Sequence, residues 1–117
     1  MIQIIRMMNK NQTLNSINIF DKSYNKLNTD LNCFTNNLSE FARSYITDCN
    51  HQGKLSGKLI AVKDNINIKD YSTTCVSKIL NNHKSLYNAT VIDRIIKEQG
   101  AIVAKTNMDE FAMGSSS

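Results

Sequence analysis

Between Leu14 and Tyr45 the apolar residues Leu14, Ile17, Phe20, Tyr24, Leu27, Leu31, Phe34, Leu38, Phe41 and Tyr45 recur at steps of three and four. A helix turns once every 3.6 residues, so this spacing gathers an apolar stripe on one face that must be buried against something. The stripe crosses Asn28-Thr29-Asp30-Leu31-Asn32, a stretch poor in helix formers. Asn, Thr and Asp side chains there compete for backbone hydrogen bonds, which predicts a break and hence two helices. A seam this short is expected to pack within its own domain rather than in a coiled coil.

The second half has a different texture. Gly53 and Gly57 bracket a turn, and Leu59-Ile60-Ala61-Val62 follows as a continuous apolar run, the pattern of a strand buried on both faces. After a polar loop, Asn88 or Thr90 can cap a helix from Ala89 to about Gln99 that carries Val91, Ile92, Ile95 and Ile96 on one side. Gly100 is expected to close that helix in the left-handed conformation, and Ala101-Ile102-Val103-Ala104 supplies a second strand. Strand, helix, strand in this order predicts two parallel strands joined by a right-handed crossover, and so an α/β fold whose sheet is covered by helices. Two parallel strands do not form a stable sheet alone, so the pattern points to part of a larger domain.

Composition narrows the class. The 117 residues include no Pro and are 41% hydrophobic, which suits one small globular domain or a piece of a larger one. No apolar run approaches the roughly 20 residues a membrane helix needs, so no membrane span is expected. The net charge of +4 is scattered rather than gathered in a block, and argues for a solvated surface over a nucleic-acid patch. Cys33, Cys49 and Cys75 are odd in number and lack C-x-x-C spacing, while His51 and His83 stand apart from one another, so no disulfide framework and no metal site is expected. Residues 1–12 read as a flexible N-terminus or a weak presequence: Arg6 and Lys10 come before any acid, with Ile2, Ile5 and Met8 at near-helical spacing. That suggests a mitochondrial location, or a cytoplasmic one for a bacterial source, with the domain proper over residues 13–117.

Candidate chemistry concentrates at the strand ends. Lys63 follows the first apolar run directly, and ligands in open α/β sheets collect beyond the carboxyl ends of the strands. Partial desolvation would bring its amine toward use as a base, whereas a nearby Asp64 carboxylate would oppose that shift. The second strand ends in Lys105-Thr106-Asn107-Met108-Asp109-Glu110 and should face the same cleft, with Asn107 or Asp109 able to cap a short helix. Gly114-Ser115-Ser116-Ser117 has no nearby His and reads as a loose polar tail. Gly53-Lys54-Leu55-Ser56-Gly57-Lys58 fails as a phosphate loop: it is one residue short, lacks Ser or Thr after the lysine and precedes its strand.

Four segments, in order, carry a resemblance. They are Leu59-Ile60-Ala61-Val62-Lys63-Asp64-Asn65-Ile66, Thr73-Thr74-Cys75-Val76-Ser77-Lys78-Ile79-Leu80, Asn88-Ala89-Thr90-Val91, and the long run from Gly100 to Ser116. Together they resemble the amidase signature family, and within it the branch formed by the A subunits of glutamyl-tRNA(Gln) amidotransferases. The resemblance implies N-terminal helices followed by the first βαβ part of a mixed, helix-covered sheet. It implies a Ser, cis-Ser, Lys triad in which Lys63 is the lysine and both serines lie beyond Ser117, so that these residues alone are expected to be inactive. Met113 and Ser115 fall where the family approaches its substrate.

On the same resemblance, glutamine is the substrate and the released ammonia converts misacylated Glu-tRNA(Gln) to Gln-tRNA(Gln). The implied partners are the B subunit of the complex, which uses ATP and Mg, and a small accessory subunit; no cofactor is expected in this chain. The alternatives are another amidase signature hydrolase acting on small amides, or a non-catalytic interaction fragment.

Overall fold

Helix α1 (Lys10–Leu31) opens with a capping box, in which the Asn9 side chain accepts from the Gln12 N–H and the Gln12 side chain accepts from the Asn9 N–H. Two of the donors left free at a helix start are thereby satisfied. The computed structural model describes residues 8–114, and α1 begins inside the segment expected to be a flexible N-terminus. Ile2 and Ile5 of the expected presequence lie outside the described residues.

The predicted break is present but shorter than expected, and it holds an element that the periodicity missed. Asn28 to Leu31 stay helical, and α1 ends at Asn32, whose left-handed backbone (φ 48) lets its N–H donate to the Asn28 carbonyl at 2.8 Å. The chain then extends into strand β1 (Phe34–Asn37) before entering helix α2 (Ser39–Ile46). Phe34 still serves the apolar stripe, stacking on Tyr24 and meeting Phe20 edge to face. Its strand conformation comes from pairing with residues some seventy positions away, which a local period cannot register.

Strand β2 (Leu59–Lys63), helix α3 (Thr90–Lys97) and strand β3 (Ala101–Thr106) form the predicted unit, with β2 and β3 parallel. β1 adds antiparallel on the far side of β3, giving the order β1-β3-β2 and a mixed three-stranded sheet. The central position explains why Ala101 to Lys105 are all buried. β2 was expected to be buried on both faces; it is an edge strand, and Leu59, Ala61 and Lys63 are exposed along one of them. Ile17, Ala42, Ile46, Ala101 and Val103 make the core between the sheet and the α1–α2 layer, while Leu38, Val62, Ile68, Ile92 and Ile102 make the core on the α3 side.

Two details of α3 depart from expectation. Neither Asn88 nor Thr90 caps it: the cap residue is Ala89, without a side-chain bond, and the Asn88 side chain instead accepts from the Lys69 N–H and donates to Asp93. The left-handed residue after the helix is Gln99 (φ 62), not Gly100. Gly100 is needed for space, since a Cβ there would stand 2.6 Å from Ile60 Cδ1 and 3.0 Å from Ile95 Cγ2.

Candidate active site at the carboxyl ends of the strands

Side chains alternate across a strand, so Lys105 should share the face of Ala101 and Val103. A bulge in β3 changes this: Ile60 pairs with Ile102 but Ala61 pairs with Ala104, and Val103 is passed over. Lys105 is therefore opposite Val62 and on its face, where Asp64 follows two residues on. The result is a buried ion pair, Lys105 Nζ to Asp64 Oδ1 at 2.9 Å, with side chains 0% and 1% exposed.

The polar groups around this pair are closely matched. Lys105 Nζ also donates to the Ser72 carbonyl at 2.7 Å and to Thr73 Oγ1 at 2.9 Å, with the Asp64 carboxylate as its ionic partner. Ser85 Oγ donates its proton to Asn67 Oδ1 (3.1 Å), which leaves the Thr73 hydroxyl as the donor in the 2.8 Å contact between Thr73 Oγ1 and Ser85 Oγ. The other carboxylate oxygen of Asp64 accepts from the Thr74 hydroxyl, which in turn accepts from the Val76 N–H. Burial pulls the Lys105 amine below the ordinary lysine range, and the Asp64 carboxylate acts in the opposite direction.

The backbone of Asp64 ties the same region together. Its N–H donates to the Thr106 carbonyl, extending the β2–β3 ladder, and its carbonyl accepts from the Cys75 N–H. Cys75 (φ 48) and Val76 (φ 56) are both left-handed, a conformation that is costly for a β-branched residue and held only by its surroundings. A second turn with the same feature, Phe111 (φ 52) and Ala112 (φ 58), faces it. The Phe111 N–H donates to the Cys75 carbonyl at 3.0 Å, and Ser77 Oγ donates to Glu110 Oε1 at 2.7 Å. Two strained turns are thus latched to one another over the ends of β2 and β3.

Lys63, the expected base, ends β2 in register with Thr106. It is exposed, and among the described residues its amine has no ion-pair partner. Alternation sends its side chain to the opposite face of the sheet from Asp64. Met113 lies 83% exposed on the second strained turn, and its N–H donates to the Glu110 carbonyl. That turn reaches the strand end through the Cys75 loop, whereas Ser115 lies outside the described residues. A cavity of about 390 Å³ opens beside the loop, lined by Asn32, Phe34, Thr74, Ser77, Lys78 and Asn107 among others; Lys63 is not among its walls. Of the two expected caps, Asp109 precedes a short 3-10 turn (Glu110–Ala112) without a side-chain bond, and Asn107 uses its amide to donate to the Asn32 carbonyl.

Lys105 is the residue that the sequence reading passed over, grouping it with the polar run after the strand. The signal available was its position directly after four apolar residues, the same placement that singled out Lys63.

Comparison with known proteins agrees with this architecture. The Amidase family profile matches residues 13–117. A curated relative, the glutamyl-tRNA(Gln) amidotransferase A subunit of Saccharolobus solfataricus, is 40% identical over 121 aligned residues that cover 97% of this chain and 25% of that protein. The crystal structure of the glutamyl-tRNA(Gln) amidotransferase A subunit of Thermotoga maritima superposes with a TM-score of 0.68 at 29% identity, covering 98% of this chain and 26% of that one. An inhibitor-bound structure from a vestigial protein complex, described in connection with the origins of an s-triazine catabolic enzyme, shares the fold with a TM-score of 0.79 at 23% identity, covering 87% of this chain and 24% of that one. The chain thus spans about a quarter of the length of these relatives.

Proposed function

The chain belongs to the amidase family, and from that membership we propose that it contributes the triad lysine, Lys63, to the glutamine-hydrolysing A subunit of a glutamyl-tRNA(Gln) amidotransferase. The observation that carries the reading is the placement of Lys63: an amine unpaired among the described residues, at the carboxyl end of a parallel strand, in a chain 40% identical to a protein of that name. In this reading a neutral Lys63 amine takes the proton of the nucleophilic serine through a bridging serine. The serine oxygen attacks the glutamine carboxamide carbon, the C–N bond breaks, and ammonia leaves with the proton. Water then releases glutamate from the acyl-enzyme.

Both serines are assigned to sequence beyond Ser117, so residues 1–117 by themselves hydrolyse no amide. Ammonia passes to the B subunit, which uses ATP and Mg to amidate Glu-tRNA(Gln), with a small accessory subunit completing the complex. Met113 and Ser115 are assigned to the substrate side of the site. The N-terminal residues are read as a presequence directing the chain to mitochondria, a proposal that protein sequencing of the N-terminus purified from the organelle would check.

The test is Lys63→Ala in the full chain assembled with its partner subunits. Glutaminase activity and glutamine-dependent formation of Gln-tRNA(Gln) should both vanish, while binding of the partners persists. Retained glutaminase activity would remove Lys63 from the triad. Hydrolysis of small amides without any transfer to tRNA would favour a free-standing amidase instead.

A further inference from the structure

We propose that Lys105 is a positioning residue for Lys63: by pairing with Asp64 on the opposite face of the sheet, it cancels the charge of the carboxylate next to Lys63 in the chain and fixes the strand end from which the Lys63 amine projects. The inference rests on the reading of Lys63 as a base. It adds a residue whose role neither the family match nor the relatives' names supply.

Three observations carry it. A base must lose its proton, and an uncompensated carboxylate on the adjacent residue would hold that proton in place. Asp64 is such a neighbour, yet its Oδ1 stands 2.9 Å from Lys105 Nζ, so the pair has no net charge. The β3 bulge is what makes this possible, because regular alternation would leave Lys105 on the face of Ala101 and Val103. Finally, the ammonium donates to the Ser72 carbonyl and Thr73 hydroxyl, and the Asp64 carboxylate accepts from the Thr74 hydroxyl, so the pair also anchors the strained loop to the strand.

Several other ionisable groups around the sheet are engaged elsewhere. Glu110 accepts from Ser77, Asp93 of α3 accepts from Asn88, and on the α1–α2 side Arg43 is paired with Asp21 and Glu40. β1 carries no ionisable residue.

The experiment is competitive acetylation of the full chain across a pH series, with mass spectrometry reading each lysine and the exposed Lys22 and Lys26 as internal standards. In Lys105→Met the titration midpoint of Lys63 should rise, slowing its acetylation near neutral pH about tenfold relative to the standards, which is one pKa unit. In the double variant Asp64→Asn/Lys105→Met the midpoint should return to the wild-type value. Should Lys105→Met fail to fold, Asp64→Asn alone leaves the ammonium unpaired, and the Lys63 midpoint should fall.

An unmoved midpoint in Lys105→Met, a double variant that stays shifted, or a rise in Asp64→Asn would each overturn the proposal. Failure here with glutaminase lost in Lys63→Ala refutes only the role of Lys105. Glutaminase retained in Lys63→Ala refutes the reading beneath it.

Discussion

Lys105 Nζ meets Asp64 Oδ1 at 2.9 Å where neither side chain touches solvent, so two full charges are held inside the fold by each other and by the hydroxyls and carbonyl around them. Removing one partner strands the other. Lys105→Ala should cost about 3–5 kcal/mol of folding stability, the usual penalty for an uncompensated buried charge. Asp64→Asn/Lys105→Met, which leaves no charge behind, should cost clearly less; urea denaturation of the two variants gives the comparison. Equal losses would mean that packing, and not charge, sets the penalty.

Tyr45 joins α2 to the start of β3: its hydroxyl donates to the Gly100 carbonyl at 2.7 Å and accepts from the Ile102 N–H at 2.8 Å. Burial, the largest influence, pushes the phenol up to about 12, against the opposing effect of the Ile102 N–H. The folded form therefore keeps its proton more tightly than the unfolded chain, whose value lies near 10.0. The stabilisation is fully present below pH 10 and is lost as pH rises toward 12, by about 2–3 kcal/mol in all. Tyr45→Phe should lose about 1–2 kcal/mol at neutral pH and show a flatter alkaline limb in thermal melts taken from pH 9 to 12.

Gly100 is fixed by space. An added methyl would enter contact at 2.6 Å with Ile60 Cδ1 and 3.0 Å with Ile95 Cγ2, wedging α3 away from β2. Gly100→Ala should destabilise by about 1–3 kcal/mol, and shortening the flexible neighbour in Gly100→Ala/Ile60→Val should recover part of that. Chemical denaturation measures both; no recovery would point to Ile95 or Leu55 as the limiting contact.

Lys63 is exposed and unpaired among the described residues, so its removal should leave stability within about 0.5 kcal/mol of wild type. In the full chain assembled with its partner subunits, a Lys63→Ala variant that melts like the wild type but has lost the wild type's glutamine hydrolysis separates a chemical role from a structural one. A large drop in melting temperature would show that the side chain supports the fold.

Much of this protein was legible along the chain because it depends on local periodicity. The three- and four-residue steps of Leu14 to Tyr45 located the α1–α2 layer, and two short apolar runs around an amphipathic segment located the parallel β2–α3–β3 unit. The motif around Lys63 and the run from Gly100 onward pointed to the amidase family without any coordinates. What the tertiary structure decided depends on distant partners. Phe34–Asn37 becomes a strand only because β3 offers it an edge, and that pairing makes β3 central and leaves β2 exposed. The bulge at Val103 turns Lys105 from one face of the sheet to the other, where Asp64 waits. A one-residue shift in register moves a whole side chain across a sheet, and no period read along a single strand records it.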